Sequence, residues 1–157
     1  MTDRFFCEWA ISRRLWDVMR PMLSAGMVTL ETGSGLSTLL VEAAGCRHTA
    51  LEHDEEHAAP SDCVVVAPLV GKPPWYDWEP AHPFDLILID GPPGHVGRSG
   101  ILRVFDRLIA RSTIVVVDDT HRCEEKRLAD TLCQKYGFEQ QFYGEPQKSF
   151  SVLTRAG

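Results

Sequence analysis

The sequence predicts an α/β domain: a mainly parallel β-sheet with helices covering both faces. Three observations carry that prediction. Five apolar, strand-sized runs alternate with segments of helical period. The strand interiors, as in "FDLILID" (84–90) and "STIVVVDD" (112–119), are continuous Val, Ile and Leu rather than alternating, the pattern of strands buried on both faces. The runs end in acids and turn residues, as an open parallel sheet requires where it hands over to its crossovers.

Residues 3–24 read as the first helix. Phe6, Trp9, Ile11, Leu15, Val18, Met19 and Met22 roughly follow the helical period, largely opposite Arg13, Arg14 and Asp17. "MVTLETGSG" (27–35) is a strand running into a glycine turn, and residues 36–45 form a helix closed by Gly45. A second strand (48–54) is followed by at most a short helix over 55–61, then a third strand over 63–70. Residues 71–83 form a proline-rich aromatic loop before the fourth strand, "FDLILID". An amphipathic helix (98–110) leads to the fifth strand (112–119), and a helix over 123–136 stops at Gly137. Residues 138–144 and 148–155 close the chain as a hairpin that adds an antiparallel strand to one edge. With 157 residues this is one domain spanning 1–157, whose segment 1–26 packs on the sheet or near a substrate.

Composition narrows the function. The net charge of −6 argues against a broad phosphate-binding face, so no nucleic-acid partner is expected. The apolar runs are strand-sized, and the N-terminus carries charges through its apolar residues, so neither a membrane span nor a signal peptide is expected. Five cysteines without a C-x-x-C pair suit free thiols in a reducing, cytoplasmic setting. His53 and His57 have helical i, i+4 spacing, but no Cys or third His stands nearby to complete a zinc set.

In an open α/β sheet, ligands bind beyond the carboxyl ends of the strands. Those ends are Glu31–Ser37, Glu52–Asp54, Ala67–Leu69, Asp90–His95 and Asp118–Arg122, and four of the five carry carboxylates. Asp54 and Asp119 have a plain alternative role as helix caps. In "ETGSGLS" (31–37), Gly33 and Gly35 let the backbone turn and approach a ligand, and the next helix offers free N–H groups. Thr38 stands where a dinucleotide fingerprint has its third glycine. Glu52 lies about 20 residues beyond the glycines, where an acid accepts ribose hydroxyls. Asp90 then faces the reactive end of a cofactor, and Pro92 and Pro93 stiffen its exit. His121 and His95 follow strand tips and are candidate bases. Arg122 and Arg98 are candidates for holding an anionic substrate.

These stretches resemble the class I S-adenosylmethionine (SAM) dependent methyltransferases, small O-methyltransferase-like members above all. The resemblance runs through "VTLETGSGLST", "TALEHD", "FDLILIDGPPG" and "TIVVVDDTHR". It implies a Rossmann-like three-layer sandwich with a seven-stranded sheet whose last strand is antiparallel. It also implies SAM as cofactor and transfer of its methyl group to a small-molecule hydroxyl. Gly33 and Gly35 would pack against the methionine part of SAM, with Glu31 beside it and Asp90 near its amine. Glu52 would hold the ribose, and Ser37, His53 and Pro68 complete the expected cofactor-binding set. Asp90, Asp118 and His121 are the candidate catalytic residues. A narrower resemblance, to catechol-type O-methyltransferases, would make Asp90, Asp118 and Asp119 ligands of Mg²⁺, although "GPPGH" after Asp90 departs from that group's pattern. In "PPWYDWEP" (73–80), Trp75, Tyr76 and Trp78 leave the third strand near the expected adenine pocket, where one ring would cover cofactor or substrate while others pack on their own domain. The alternatives are an aminopropyltransferase-like enzyme of the same fold, a catalytically silent SAM-binding or interaction module, and a nicotinamide dehydrogenase. The missing third glycine and the lack of a separate substrate domain count against the last. So short a chain must build its substrate pocket from few elements or a second subunit, hence an expected homodimer.

Overall fold

The computed structural model describes residues 10–145 and 148–156. Cys7 and the Phe6 and Trp9 part of the expected first helix lie outside the described residues, as do Pro146 and Gln147 in the terminal hairpin. The strands are β1 (Val28–Thr32), β2 (Arg47–Glu52), β3 (Val64–Val66), β4 (Leu69–Val70), β5 (Trp75–Tyr76), β6 (Phe84–Ile89), β7 (Ile109–Val117), β8 (Glu139–Tyr143) and β9 (Phe150–Thr154). The α-helices are α1 (Arg13–Met19), α2 (Leu36–Ala43), α3 (Phe105–Leu108) and α4 (Cys123–Tyr136).

Seven strands form one sheet in the order β3-β2-β1-β6-β7-β9-β8. Pairing is parallel from β3 to β7, and β9 runs antiparallel to both its neighbours. The order reverses between β1 and β6, which sets the crevice for a ligand at their carboxyl ends. Alternate residues of each central strand feed two cores. Leu86 and Leu88 of β6, Val116 of β7 and Val152 of β9 meet Leu15 and Met19 of α1 and Val41 of α2. Ile87, Ile89, Val115 and Val117 meet Phe105, Leu128 and Leu132 on the other side. Each such side chain, removed from water, stabilises the fold by about 1.5–3 kcal/mol.

Four expectations change. Among the described residues the first helix starts at Arg13, because Ser12 accepts the Leu15 N–H as N-cap, and it passes into a 3-10 turn at Arg20–Met22, which contains Pro21. The expected third strand divides: β3 stays in the main sheet, whereas β4 leaves it and pairs antiparallel with β5, which lies inside the expected loop. Gly71, at φ +82°, supplies the left-handed turn between them. The expected helix 98–110 is a 3-10 turn (Ser99–Arg103) followed by the single turn of α3. Gly100 packs so closely on the β4–β5 hairpin that a Cβ there would lie 2.2 Å from the Pro74 carbonyl oxygen. The chain extends again at Ile109, opposite Phe84. Thr113 staples the resulting bulge, accepting from the Ala110 N–H at 2.7 Å and donating to Phe84 O at 2.6 Å. Finally, the last strand is not added at the edge. β9 enters between β7 and β8, leaving β8 outermost.

No described helix is long and apolar enough to cross a membrane.

Candidate active site at the carboxyl ends of the central strands

The exits of β1 and β6 touch. Thr32 Oγ1 donates to Gly91 O at 2.8 Å and accepts from Gly91 N at 3.2 Å. Gly33, at φ +84°, gives its N–H to Leu51 O at 2.8 Å and to the Tyr76 hydroxyl at 3.1 Å. A Cβ on Gly91 would meet that hydroxyl at 2.6 Å and Gly33 N at 2.7 Å, so glycine is required at this crossing. By contrast, no atom lies within 4 Å of a Cβ built on Gly35. The glycine loop is thus pinned on one side and open on the other, as a ligand-facing loop must be.

Glu31 serves the loop from beneath. It is 1% exposed and accepts from Ser37 Oγ, from Thr38 Oγ1 at 2.7 Å and from the ring of His48 at 3.3 Å. Thr38 also accepts the Gly35 N–H at 3.0 Å. Both carboxylate oxygens are therefore taken up by the protein, and Glu31 and Ser37 shape the cradle from behind. Glu52 holds it from the next strand, accepting from Ser34 N at 3.1 Å, Ser34 Oγ at 3.3 Å, His53 N at 2.8 Å and Asp54 N at 3.1 Å. The His53 ring is 3.0 Å from the same carboxylate. Asp54 caps a 3-10 turn (Glu55–His57) and bonds the exposed His57, whose pKa it raises. Pro68 is exposed, its carbonyl accepting the Asp77 N–H at 2.8 Å.

Asp90, Asp118 and Asp119 do converge: each offers an oxygen within 4.8 Å of the others. Asp118 is fully buried and Asp119 nearly so, the latter in the left-handed region at φ +60°. Asp90 keeps 19% of its side chain exposed. Burial pushes the Asp90 carboxyl well above the usual range, Asp118 adds to that, and Arg98 and Lys148 oppose it. Burial likewise raises Asp118, against the pull of Lys148. Burial works against the charges of Arg98 and Lys148, but the acids around them outweigh it and raise both.

Three carboxylates at this spacing are the donor set a hard cation takes. Two cations of the chain already stand in it. Arg98 Nη2 lies 2.8 Å from Asp119 Oδ2 and 3.6 Å from Asp90 Oδ1, and Lys148 Nζ lies 3.2 Å from Asp118 Oδ2. As arranged, the residues do not fit Mg²⁺.

Other expectations part from the geometry. His121 is exposed and its Nδ1 accepts the Ser149 N–H at 3.1 Å; among the described residues no hydrogen bond or ion pair joins it to the three acids. His95 is exposed as well. Arg98 is buried and committed to carbonyls and acids, so it is no free anion binder, whereas Arg122 is half exposed and 3.3 Å from Asp119. Trp75 lies in the core, and Trp78 packs on Phe84. Sequence reading missed Lys148, His48, Glu125 and the placement of the Tyr76 hydroxyl. Only Lys148 left a signal: it precedes an antiparallel strand, whose start must lie beside the carboxyl-end tips of the parallel strands.

By sequence the chain matches no family model and no curated protein. Solved structures are similar to it in fold. The O-methyltransferase TomG from Streptomyces achromogenes, in complex with SAM, superposes with a TM-score of 0.66 at 14% identity, covering 99% of this chain and 86% of that one. The S-adenosylhomocysteine-bound methyltransferase PaMTH1 of Podospora anserina gives 0.66 at 14% identity, covering 95% and 81%. A Burkholderia thailandensis N1-methyltransferase, with 1,6-didemethyltoxoflavin and S-adenosylhomocysteine bound, gives 0.57 at 17% identity, covering 92% and 78%. With its strand order, its inserted antiparallel β9 and its glycine loop over the switch point, the chain has the Rossmann-like fold of the class I SAM-dependent methyltransferases.

Proposed function

We propose that the chain is a SAM-dependent methyltransferase that methylates a small-molecule hydroxyl without a metal ion. The observation that carries this reading is the Gly33–Gly91 crossing, which sets an open glycine loop and Asp90 side by side at the switch point. Gly33 and Gly35 would receive the methionine part of SAM. Glu52 would take the ribose by exchanging its longest bond, that from Ser34 Oγ, for ribose hydroxyls. When bound, SAM supplies an electrophilic methyl group on a sulfonium. The chain's part is to orient the acceptor and remove its proton. Asp90 suits the proton-removing role, because burial makes it a stronger base than an ordinary carboxylate and it is the one acid of the three with open surface. The net charge of −6 suits a small acceptor better than a polyphosphate. A homodimer supplying one wall of the acceptor pocket belongs to the same proposal, tested by sedimentation.

Calorimetry with SAM, S-adenosylhomocysteine and NAD tests the reading. Both SAM species are expected to bind and NAD is not. Glu52→Ala is expected to weaken that binding at least about tenfold, the loss of a charge-assisted contact. Methyl transfer to a panel of phenols and alcohols is expected to persist in EDTA. No binding of either SAM species would overturn the proposal. Transfer to amines alone would overturn the hydroxyl assignment.

A further inference from the structure

Arg98 stands among three carboxyl groups, those of Asp90, Asp119 and Glu125, with 3% of its side chain exposed. Its nitrogens leave in three directions. Nε donates to Pro92 O at 3.2 Å, Nη1 to Asp118 O at 3.0 Å and Nη2 to Asp119 Oδ2 at 2.8 Å. One planar group thereby ties the loop after β6 to the tip of β7, and Glu125 Oε1 lies 3.8 Å behind it. Lys148 closes the opposite side, Nζ meeting Asp118 Oδ2 at 3.2 Å and donating to Ala10 O at 2.7 Å. A divalent ion bridging these acids would need carboxylate oxygens that the two side chains hold.

We propose that Arg98 and Lys148 together are a resident replacement for a divalent cation: Arg98 is the positioning residue for Asp90 and Asp119, Lys148 holds Asp118, and each keeps metal ions from the carboxylate oxygens it occupies. Buried carboxylates at this separation repel one another unless a cation sits between them. A guanidinium meets that need at every accessible pH, since it does not release its proton in proteins. Its fork also donates to the Pro92 and Asp118 carbonyls, so one rigid group joins two loops as well as neutralising acids. Lysine at position 98 would keep the charge but not the three-way grip.

Mn²⁺ alone is the probe, its free concentration followed by electron paramagnetic resonance, so the outcome does not depend on the proposed methyl transfer. The native chain is expected to show no saturable binding up to about 1 mM, where weak carboxylate sites begin to fill. Lys148→Met and Arg98→Met are each expected to bind Mn²⁺ at least tenfold more tightly than the native chain. Adding Asp90→Asn is expected to abolish the gain. Arg98→Lys is expected to exclude Mn²⁺ as the native chain does. Circular dichroism checks folding; if Arg98→Met does not fold, Lys148→Met, at a less buried position, decides. Tight Mn²⁺ binding by the native chain, or no gain in a folded Lys148→Met, would overturn the proposal.

Discussion

Asp90 shows what a carboxyl group costs at the rim of an otherwise apolar sheet. Burial, then Asp118, hold its pKa above the ordinary value. Such an acid binds more protons folded than unfolded, so its contribution to stability is fullest below its ordinary pKa and is lost as pH rises towards the folded value. Asp90→Asn is therefore expected to raise Tm at pH 8 by roughly 2–4 °C, about 1 kcal/mol, and to give a smaller gain at pH 4. Under the proposed function, in which Asp90 is the base, methyl transfer is expected to fall by about 10²-fold or more in the same variant. Scanning calorimetry across pH checks the first expectation, and the native-to-variant difference is the readout because Asp118 and His57 titrate with the same sign. An equal effect at all pH values would show that burial does not govern this group. At this scale the sequence revealed the rim, because strand ends fix which acids share it. It did not reveal partners. Glu31 and Glu52 both end parallel strands, yet Glu31 is claimed from beneath by Ser37, Thr38 and His48, and Glu52 by the glycine loop itself. Those choices depend on side-chain direction and on pairing across β1 and β2.

Among the elements, α4 carries concordant charge and stop signals, although its N-cap, Arg122, makes no side-chain cap bond. Glu124 and Glu125 lie at the positive end of its dipole, Lys135 at the negative end, and Gly137 takes the left-handed conformation that ends it. Nothing lies within 4 Å of a Cβ on Gly137, so Gly137→Ala tests backbone conformation alone. The expected cost is about 1 kcal/mol, a fall in Tm of roughly 2–4 °C, with SAM affinity unchanged. Thermal denaturation beside calorimetric titration checks both halves. That agreement explains why the helix was legible from residue 123 to residue 136. The segment 98–110 was not, because Ile101, Phe105 and Leu108 have helical spacing but serve a chain bent around the β4–β5 hairpin. Tertiary contact decided its shape, through Gly100 against Pro74 and through Ile109 opposite Phe84. The same holds for "CVVVAPLV", whose uniform apolar run hid the point at Ala67 where it changes sheet.

At the scale of the molecule, cofactor binding acts on the folded state as a whole. A ligand present at 100 times its Kd stabilises the fold by about 2.7 kcal/mol. S-adenosylhomocysteine at that level is therefore expected to raise Tm by roughly 5–10 °C, while NAD at the same concentration leaves it unchanged; differential scanning fluorimetry reads the contrast. No shift with S-adenosylhomocysteine, where calorimetry shows it bound, would mean that the unfolded chain binds it equally well. The insertion of β9 between β7 and β8 carries a consequence for synthesis. A chain emerging from the ribosome can pair β1, β2, β3, β6 and β7 as they appear, but β7 then waits as an exposed edge. Lys148 arrives only with the β8–β9 hairpin, so until then Asp118 lacks its cation. The hairpin that follows α4 thus completes both the sheet and the charge balance of the site, and a nascent chain stopped before it is expected to be a client for chaperones.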